Sequence, residues 1–175
     1  KNNSISNVDT IYLTASGGPL KNIKYSNFKN IKISDVLKHP NWNMGKKISV
    51  DSATLMNKVF EIIEAKKIFN LAYKKLKIIV HPKSYIHALI KFKDGMIKII
   101  AHDTNMIIPV HNSLYFDENH SLKTSKININ KLNNLCFEKV DYKKFPLVKT
   151  LSKLPNKSSL FETVIVAAND ELVKL

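Results

Sequence analysis

Four polar side chains on one predicted helix could bind a phosphorylated ligand. Apolar residues recur at helical spacing between residues 52 and 69, which predicts a helix with Asp51 or Ser52 as its N-cap. At 100° per residue, one face carries Thr54, Asn57, Lys58 and Glu61. An amide and an ammonium near the positive end of a helix favour an anion, and the Glu61 carboxylate one turn further on suits a divalent metal. Alternatively, Ser52 is only a cap, and Lys58 and Glu61 form an exposed i,i+3 ion pair.

Two loops could complete such a site. Ser16-Gly17-Gly18-Pro19 could offer a hydroxyl and backbone N–H groups to the same phosphate, although a plain turn has the same composition. His39 and Trp42 lie in a glycine-flanked loop that could close over a small ligand, with the indole excluding water; alternatively, Trp42 packs on the domain. His81 and His87 lack a clear third zinc ligand, so one of them is interpreted as a hydrogen-bonded histidine at a strand end.

A small sheet is predicted to position this helix and these loops. Strands are predicted at residues 8–14 and 77–80, which are rich in apolar and β-branched residues. Segments 84–93 and 96–102 flank Asp94-Gly95, a pair that favours a hairpin because both residues tolerate positive φ. We therefore expect an α/β fold of the α+β type, with a small mixed sheet, an antiparallel hairpin, flanking helices and a long active-site loop.

The rest of the chain shows weaker patterns. We interpret residues 16–46 as mostly a long loop and residues 117–144 as a linker. Ile48-Ser49-Val50 is interpreted as a short extended stretch. One helical turn is predicted near residues 34–38. Pro146 suits the first position of a helix that ends near residue 154. A last helix begins at the capping box formed by Ser159 and Glu162, and we expect the chain to be a fragment that is truncated within this helix.

Composition limits the classes of partner. The 175 residues include 28 basic and 14 acidic side chains, a net charge of +14, and every basic residue is Lys. Nucleic-acid readers rely on Arg, so we attribute the charge mainly to an AT-rich genome and expect no nucleic-acid partner. No apolar run approaches the roughly 18 residues of a membrane span, so no membrane partner is expected. Cys136 is the single cysteine, which excludes an internal disulfide and favours a reducing compartment; its apolar neighbours predict a core position.

Several motifs together resemble the 1-deoxy-D-xylulose 5-phosphate reductoisomerase family. Four segments match in the family's order and spacing: residues 13–19, 39–58, 61–65 and 81–87. Met106 and Pro109 match as well, and the likeness returns at Ala167-Ala168-Asn169 after a weak stretch. The resemblance implies conversion of 1-deoxy-D-xylulose 5-phosphate to 2-C-methyl-D-erythritol 4-phosphate, by metal-assisted rearrangement and reduction, in isoprenoid precursor synthesis. It implies NADPH and Mg²⁺ or Mn²⁺ as cofactors and a phosphorylated small molecule as substrate.

The resemblance also implies roles for individual residues. The residues implied to hold the substrate phosphate are Ser16, Ser52, Asn57 and Lys58. His39 would contact the substrate from the loop, and Trp42 would cover the site. Glu61 would bind both metal and substrate, and Gly45 would lie near the nicotinamide. Val59 stands where the family pattern has Gly, and a β-branched side chain there could crowd the site beside Glu61.

The implied domain organisation leaves much of the family enzyme outside this chain. The implied units are a catalytic core at 1–116 with the flexible loop 16–46, a connecting segment at 117–157, and the start of a helical domain at 158–175. Because no Gly-x-Gly-x-x-Gly fingerprint occurs, the NADPH-binding domain is expected to be absent. Glu61 is the only metal carboxylate of the family that is matched. The sheet within residues 77–102 would form a homodimer, in a bacterial cytoplasm or an organellar stroma.

Three functions therefore stay open. The chain is the catalytic portion of the reductoisomerase, inactive on its own because its cofactor and metal sites are incomplete. Alternatively, it is a diverged, non-catalytic remnant that acts only as a dimerising module. The third function, a basic nucleic-acid-binding domain, is disfavoured by the absence of Arg; it would show a steep salt dependence of binding to arbitrary duplex.

Overall fold

A four-stranded mixed sheet forms the centre of the structure, a computed structural model that describes residues 5–38, 44–115, 120–157 and 160–174. The strands are β1 (Val8–Ala15), β2 (Leu76–Val80), β3 (Ile86–Phe92) and β4 (Ile97–Ala101). Their order is β2-β1-β3-β4. β2 runs parallel to β1, and β3 and β4 follow on the other side of β1 as an antiparallel hairpin. The predicted fold class, strands and hairpin are confirmed.

Helices flank the sheet. The α-helices of the described residues are α1 (Ile33–Val36), α2 (Lys46–Thr54), α3 (Met56–Phe69), α4 (Ile107–Leu114), α5 (Ile129–Asn133) and α6 (Leu160–Leu172). Short 3₁₀ helices occur at Ile5–Asn7, Tyr25–Asn30, Tyr73–Lys75 and Pro146–Lys153. Pro146 takes the first helical position, as predicted, although the helix is 3₁₀. α6 begins where the last helix was predicted, but Ser159 of its capping box lies outside the described residues.

The core lies between α3 and the parallel strand pair. A parallel connection needs a crossover, and the segment from β1 to β2 supplies it with α1, α2 and α3. Val59 and Ile62 of α3 are 0% and 1% exposed and join a cluster with residues of β1 and β2. Val59 thus packs into the core and does not line the cavity near Glu61, so its side chain does not crowd that space.

The predicted helix 52–69 is in fact two helices, and this corrects its N-terminus. Leu55 adopts a left-handed conformation, with φ 59°, between α2 and α3. The Thr54 hydroxyl bonds to the Val50 and Asp51 carbonyls and accepts from Met56 N, which competes with regular helix bonding. The conformation costs about 1–2 kcal/mol, and burial of Leu55, which is 1% exposed, offsets it.

Because α2 begins at Lys46, two further predictions are wrong. Ile48-Ser49-Val50 is helical instead of extended, and neither Asp51 nor Ser52 is an N-cap. Cys136 is exposed, so its predicted core position is also wrong. The segment that contains Cys136 pairs with the sheet through an isolated bridge between Val80 and Glu138.

Candidate active site

A cavity of about 570 Å³ opens where β1 ends. Its wall brings together five of the predicted site residues: Ser16, Ser52, Asn57, Lys58 and Glu61. His87 of β3 and His102, just after β4, also line it, as do Met106 and Pro109 beside and within α4. The fold thus gathers hydroxyl, amide, ammonium, carboxylate and imidazole groups from five different segments around one space.

The Ser-Gly-Gly turn lies directly against the end of α2. Gly18 has φ +67°, and a Cβ atom built on it would be only 2.2 Å from the Ser52 carbonyl oxygen. The Gly18 N–H donates to the Ser16 hydroxyl over 3.2 Å, which orients that side chain within the turn. A residue without a side chain is therefore required for Ser16 and Ser52 to share one wall of the cavity.

The break at Leu55 determines which side chains face the cavity. Ser52 lies in the last turn of α2, whereas Asn57 and Lys58 lie in the first turn of α3. The positive end of the α3 dipole therefore lies beside Asn57 and Lys58 and not at Ser52. The predicted grouping of these residues holds, but two helix ends produce it instead of one.

Lys58 and Glu61 form a close ion pair within this wall. Lys58 Nζ lies 2.8 Å from both Glu61 carboxylate oxygens. The Lys58 side chain is only 12% exposed, whereas that of Glu61 is 43% exposed. The alternative interpretation as an i,i+3 ion pair is thus correct, but the cation is mostly enclosed and lines a cavity. An enclosed ammonium is screened less than a surface lysine and attracts an anion more strongly.

Asn57 carries an acceptor that the described residues leave unsatisfied. Its Oδ1 atom is buried and has no hydrogen-bond partner among them. A buried polar atom without a partner costs about 1–3 kcal/mol. A ligand that donates a hydrogen bond in the cavity would recover this energy.

Two stacked histidines add a feature that sequence reasoning did not assign to the site. The rings of His87 and His102 lie 3.6 Å apart between centroids, with 12° between their planes. The pKa of His87 is lowered, mainly because the side chain is buried. Its hydrogen bond to the His102 carbonyl opposes this shift, whereas electrostatic interactions with His102, Lys58 and His81 lower the pKa further. The sequence offered one indication of this contact, because a hairpin around Asp94-Gly95 places residue 87 beside the end of the second strand.

The other predicted histidine is structural. His81 is fully buried and its Nδ1 lies 2.8 Å from the Cys136 carbonyl oxygen, as expected for a strand-end histidine. Its Nε2 atom has no hydrogen-bond partner within the part of the chain that the structure describes. His81 does not belong to the cavity wall.

A second layer of polar contacts joins α2 to α6. Asn169 Nδ2 donates to Asp51 Oδ1 over 2.8 Å, and both residues are buried. Lys47 Nζ lies 2.9 Å from Asp51 and 3.1 Å from Asp170. The pKa of Lys47 is raised, mainly by its hydrogen bond to Asp51. The interaction with Asp170 raises this pKa further, whereas burial opposes the shift. Because Asp51 precedes Ser52, these contacts fix the turn of α2 that reaches the cavity.

The predicted loop residues can be placed only in part. His39 and Trp42 lie outside the described residues. Gly45 is the N-cap of α2 and follows Met44, which lines the cavity. Gly45 is therefore the chain neighbour of a cavity-lining residue but does not line the cavity itself.

Comparison with known proteins agrees with this architecture. The model of the 1-deoxy-D-xylulose 5-phosphate reductoisomerase C-terminal domain family matches residues 1–69, and a second model, the DXP reductoisomerase C-terminal domain, matches residues 102–175. The chain is 59% identical over 174 residues to the reductoisomerase of Pelagibacter ubique (strain HTCC1062). The chain belongs to the 1-deoxy-D-xylulose 5-phosphate reductoisomerase family.

Further relatives show how much of a reductoisomerase this chain represents. It is 38% identical to the enzyme of Clostridium novyi (strain NT), and in both comparisons 99% of the chain matches 45% of the relative. A crystal structure of DOX-P reductoisomerase in complex with NADPH, fosmidomycin and magnesium has a TM-score of 0.88 and 30% identity, over 96% of this chain and 41% of that one. The Zymomonas mobilis enzyme in complex with NADPH has a TM-score of 0.86 and 30% identity, over 99% of this chain and 44% of that one. The chain thus spans less than half the length of these relatives.

The described residues do not by themselves fit the magnesium that the structural relative binds. The described part of the chain contains no group of three His, Cys, Asp or Glu side chains that could hold a metal ion. Glu61 is instead paired with Lys58. No Gly-x-Gly-x-x-Gly loop is present to cradle a dinucleotide. In the same described residues, none of the helices has the length and apolar character to cross a membrane.

Proposed function

We propose that this chain provides the phosphate-binding part of a reductoisomerase that acts on 1-deoxy-D-xylulose 5-phosphate. The observation that carries this proposal is the convergence of Ser16, Ser52, Asn57 and Lys58 on one cavity. Two hydroxyl groups, an amide and a mostly enclosed ammonium at the positive end of α3 suit a phosphate dianion. On this proposal the enzyme as a whole forms 2-C-methyl-D-erythritol 4-phosphate.

The proposal extends to residues that complete the site. Glu61 is the carboxylate in the cavity wall that would bind Mg²⁺ or Mn²⁺, together with ligands from outside this chain. His39 contacts the substrate and Trp42 covers it. Gly45, at the N-cap of α2, lies on the side where the nicotinamide of NADPH approaches. The remaining metal carboxylates and the dinucleotide site would have to come from outside these 175 residues, so we expect no turnover from this chain alone.

Fosmidomycin, the compound bound by the structural relative, tests the cavity directly. We expect titration followed by NMR to shift signals from Ser16, Ser52 and Lys58 in the parent chain. Lys58→Ala should weaken binding at least about tenfold, because a hydrogen bond to a charged group contributes about 1.5–3 kcal/mol. Lys74→Ala, at an exposed lysine of a 3₁₀ helix, is the matched control and should leave the affinity unchanged. Equal affinities of the two variants would contradict the proposal.

An exposed apolar face supports a second proposal, a homodimer through the sheet edge. All five residues of β4 are exposed, among them Ile97, Ile99 and Ile100. α4 adds further exposed apolar side chains, including Ile107 and Val110. An unpaired strand edge of this kind is a template for association, and apolar surface of this extent marks an interface. A diverged, non-catalytic remnant would retain this dimer and would not bind fosmidomycin.

A further inference from the structure

The two stacked histidines are fixed in orientation by backbone carbonyl groups. His87 Nε2 lies 3.0 Å from the His102 carbonyl oxygen, and His102 Nδ1 lies 2.7 Å from the Asp103 carbonyl oxygen. A carbonyl accepts only from a protonated nitrogen, so each of these nitrogens carries a hydrogen. His87 Nδ1 and His102 Nε2 are therefore the atoms at which the pair takes up a further proton.

The geometry allows one additional proton and opposes a second. Two parallel imidazolium rings 3.6 Å apart repel each other, whereas one imidazolium stacked on a neutral ring does not. The Lys58 ammonium of α3 and the electrostatic interaction with His81, just after β2, also lower the pKa of His87 and oppose its protonation. An anion in the cavity would offset this repulsion.

The carboxylates around the stack already have lysine partners. Asp103, next to His102, is paired with Lys131. Glu61, which shares the cavity, is paired with Lys58. Since both charges are neutralised, a ligand anion would supply the negative charge that the pair needs to hold a proton.

We propose that His87 and His102 form a proton-accepting wall of the anion site and take up one proton when a phosphate-like anion enters the cavity. This inference rests on the proposed function, because it needs an anion to bind beside Lys58. Anion binding and proton binding then favour each other reciprocally. The affinity for an anion should increase as the pH falls toward the ordinary histidine pKa of 6.5.

Sulfate is the sharpest probe, because it stays a dianion throughout the relevant pH range, whereas phosphate itself titrates. We expect calorimetric or NMR titrations of the full chain at constant ionic strength to give at least about fivefold tighter binding at pH 6 than at pH 8, since one proton permits at most about tenfold per pH unit. His102→Asn keeps a polar side chain but cannot be protonated, and it should reduce this change to less than twofold. His120→Asn is the control, because His120 lies outside the cavity wall.

The outcomes separate this inference from the function on which it rests. Absence of sulfate binding at every pH would overturn both. Sulfate binding that is independent of pH, or that keeps its pH dependence in His102→Asn, would overturn the inference alone. If His102→Asn does not fold, NMR titration of the parent histidines decides: sulfate should raise the pKa of the pair, and an unchanged pKa would overturn the inference.

Discussion

Gly18 is the residue on which contact between the Ser-Gly-Gly turn and α2 depends. Its φ of +67° disfavours any side chain, and a Cβ atom would lie 2.2 Å from the Ser52 carbonyl oxygen. We expect Gly18→Ala to lower the free energy of unfolding by more than about 2 kcal/mol, because backbone strain and a clash with main-chain atoms add together. Urea unfolding measures the effect.

Gly95 offers a matched control for this prediction. Its φ is +89°, but a Cβ atom would meet nothing within 4 Å. Gly95→Ala should therefore cost only the backbone term, about 1 kcal/mol. Equal losses in the two variants would show that the contact with Ser52 does not constrain the turn.

At the residue scale, the sequence predicted which polar groups meet but not how they meet. Helical spacing grouped Asn57, Lys58 and Glu61 correctly, because these residues lie within the first turns of one helix. It failed at Leu55, since a leucine in the left-handed region is locally unfavourable and only its burial against the core compensates for this. It missed His102, whose role follows from strand register and not from its neighbours in the chain.

At the scale of elements, α6 is held against α3 by a buried carboxylate. Glu162 is 1% exposed, lies 2.9 Å from Lys66 Nζ and accepts a hydrogen bond from the Tyr73 hydroxyl. Burial alone would raise the pKa of Glu162, but the bonds from Tyr73 and Lys66, together with the charges of Lys66 and Lys67, outweigh it and lower the pKa. Burial of the Tyr73 hydroxyl and its hydrogen bond to the Glu162 carboxylate raise the pKa of Tyr73.

Glu162→Gln should therefore destabilise the fold by about 3 kcal/mol, because it leaves Lys66 as a buried cation without its counter-charge. Glu171→Gln is the control, because Glu171 pairs with Lys174 and each of the two side chains is 69% exposed. This change should alter stability by less than about 1 kcal/mol. Thermal or urea unfolding measures both. A cost at position 162 no larger than at position 171 would mean that this pair does not hold α6.

The lowered pKa of Glu162 also gives a pH dependence with a definite sign. Its contribution to stability is fully present above the unfolded-state pKa, near 4.5, and is lost as the pH falls through the lower folded-state value. We expect the stability of the parent to decrease more steeply in that range than the stability of Glu162→Gln. Parallel unfolding curves from pH 6 to pH 3 would contradict this assignment.

Prediction of elements was best where local patterns and tertiary contacts agree. The hairpin around Asp94-Gly95 and the start of α6 were recovered because turn and capping residues mark them locally. α4 was missed because it contains Pro109 and buries none of its residues, so it has neither helical composition nor a core-facing stripe. The exposure of Cys136 was missed because two apolar neighbours do not define a core position in a segment that joins the sheet by an isolated bridge and not as a full strand.

At the scale of the whole molecule, apolar surface and net charge act in opposite directions. The exposed faces of β4 and α4 favour association of two chains. Each chain carries a net charge of +14, so two copies repel each other over the Debye length. Salt screens this repulsion without weakening apolar contacts. A homodimer should therefore become tighter as salt increases, whereas binding to a nucleic acid would become weaker.

Ile99→Lys tests this face directly. Ile99 is 54% exposed on β4, and a lysine there would place a charge within the proposed interface of each copy. Sedimentation equilibrium should show a parent dimer whose dissociation constant decreases at least about threefold between 50 and 300 mM salt, where the Debye length roughly halves, and a largely monomeric Ile99→Lys. Ile33→Lys, at a residue of α1 that is 64% exposed and lies outside the proposed interface, is the control and should remain dimeric. A parent chain that is monomeric at every salt concentration, or a dimer that Ile99→Lys leaves intact, would show that this face does not join two copies.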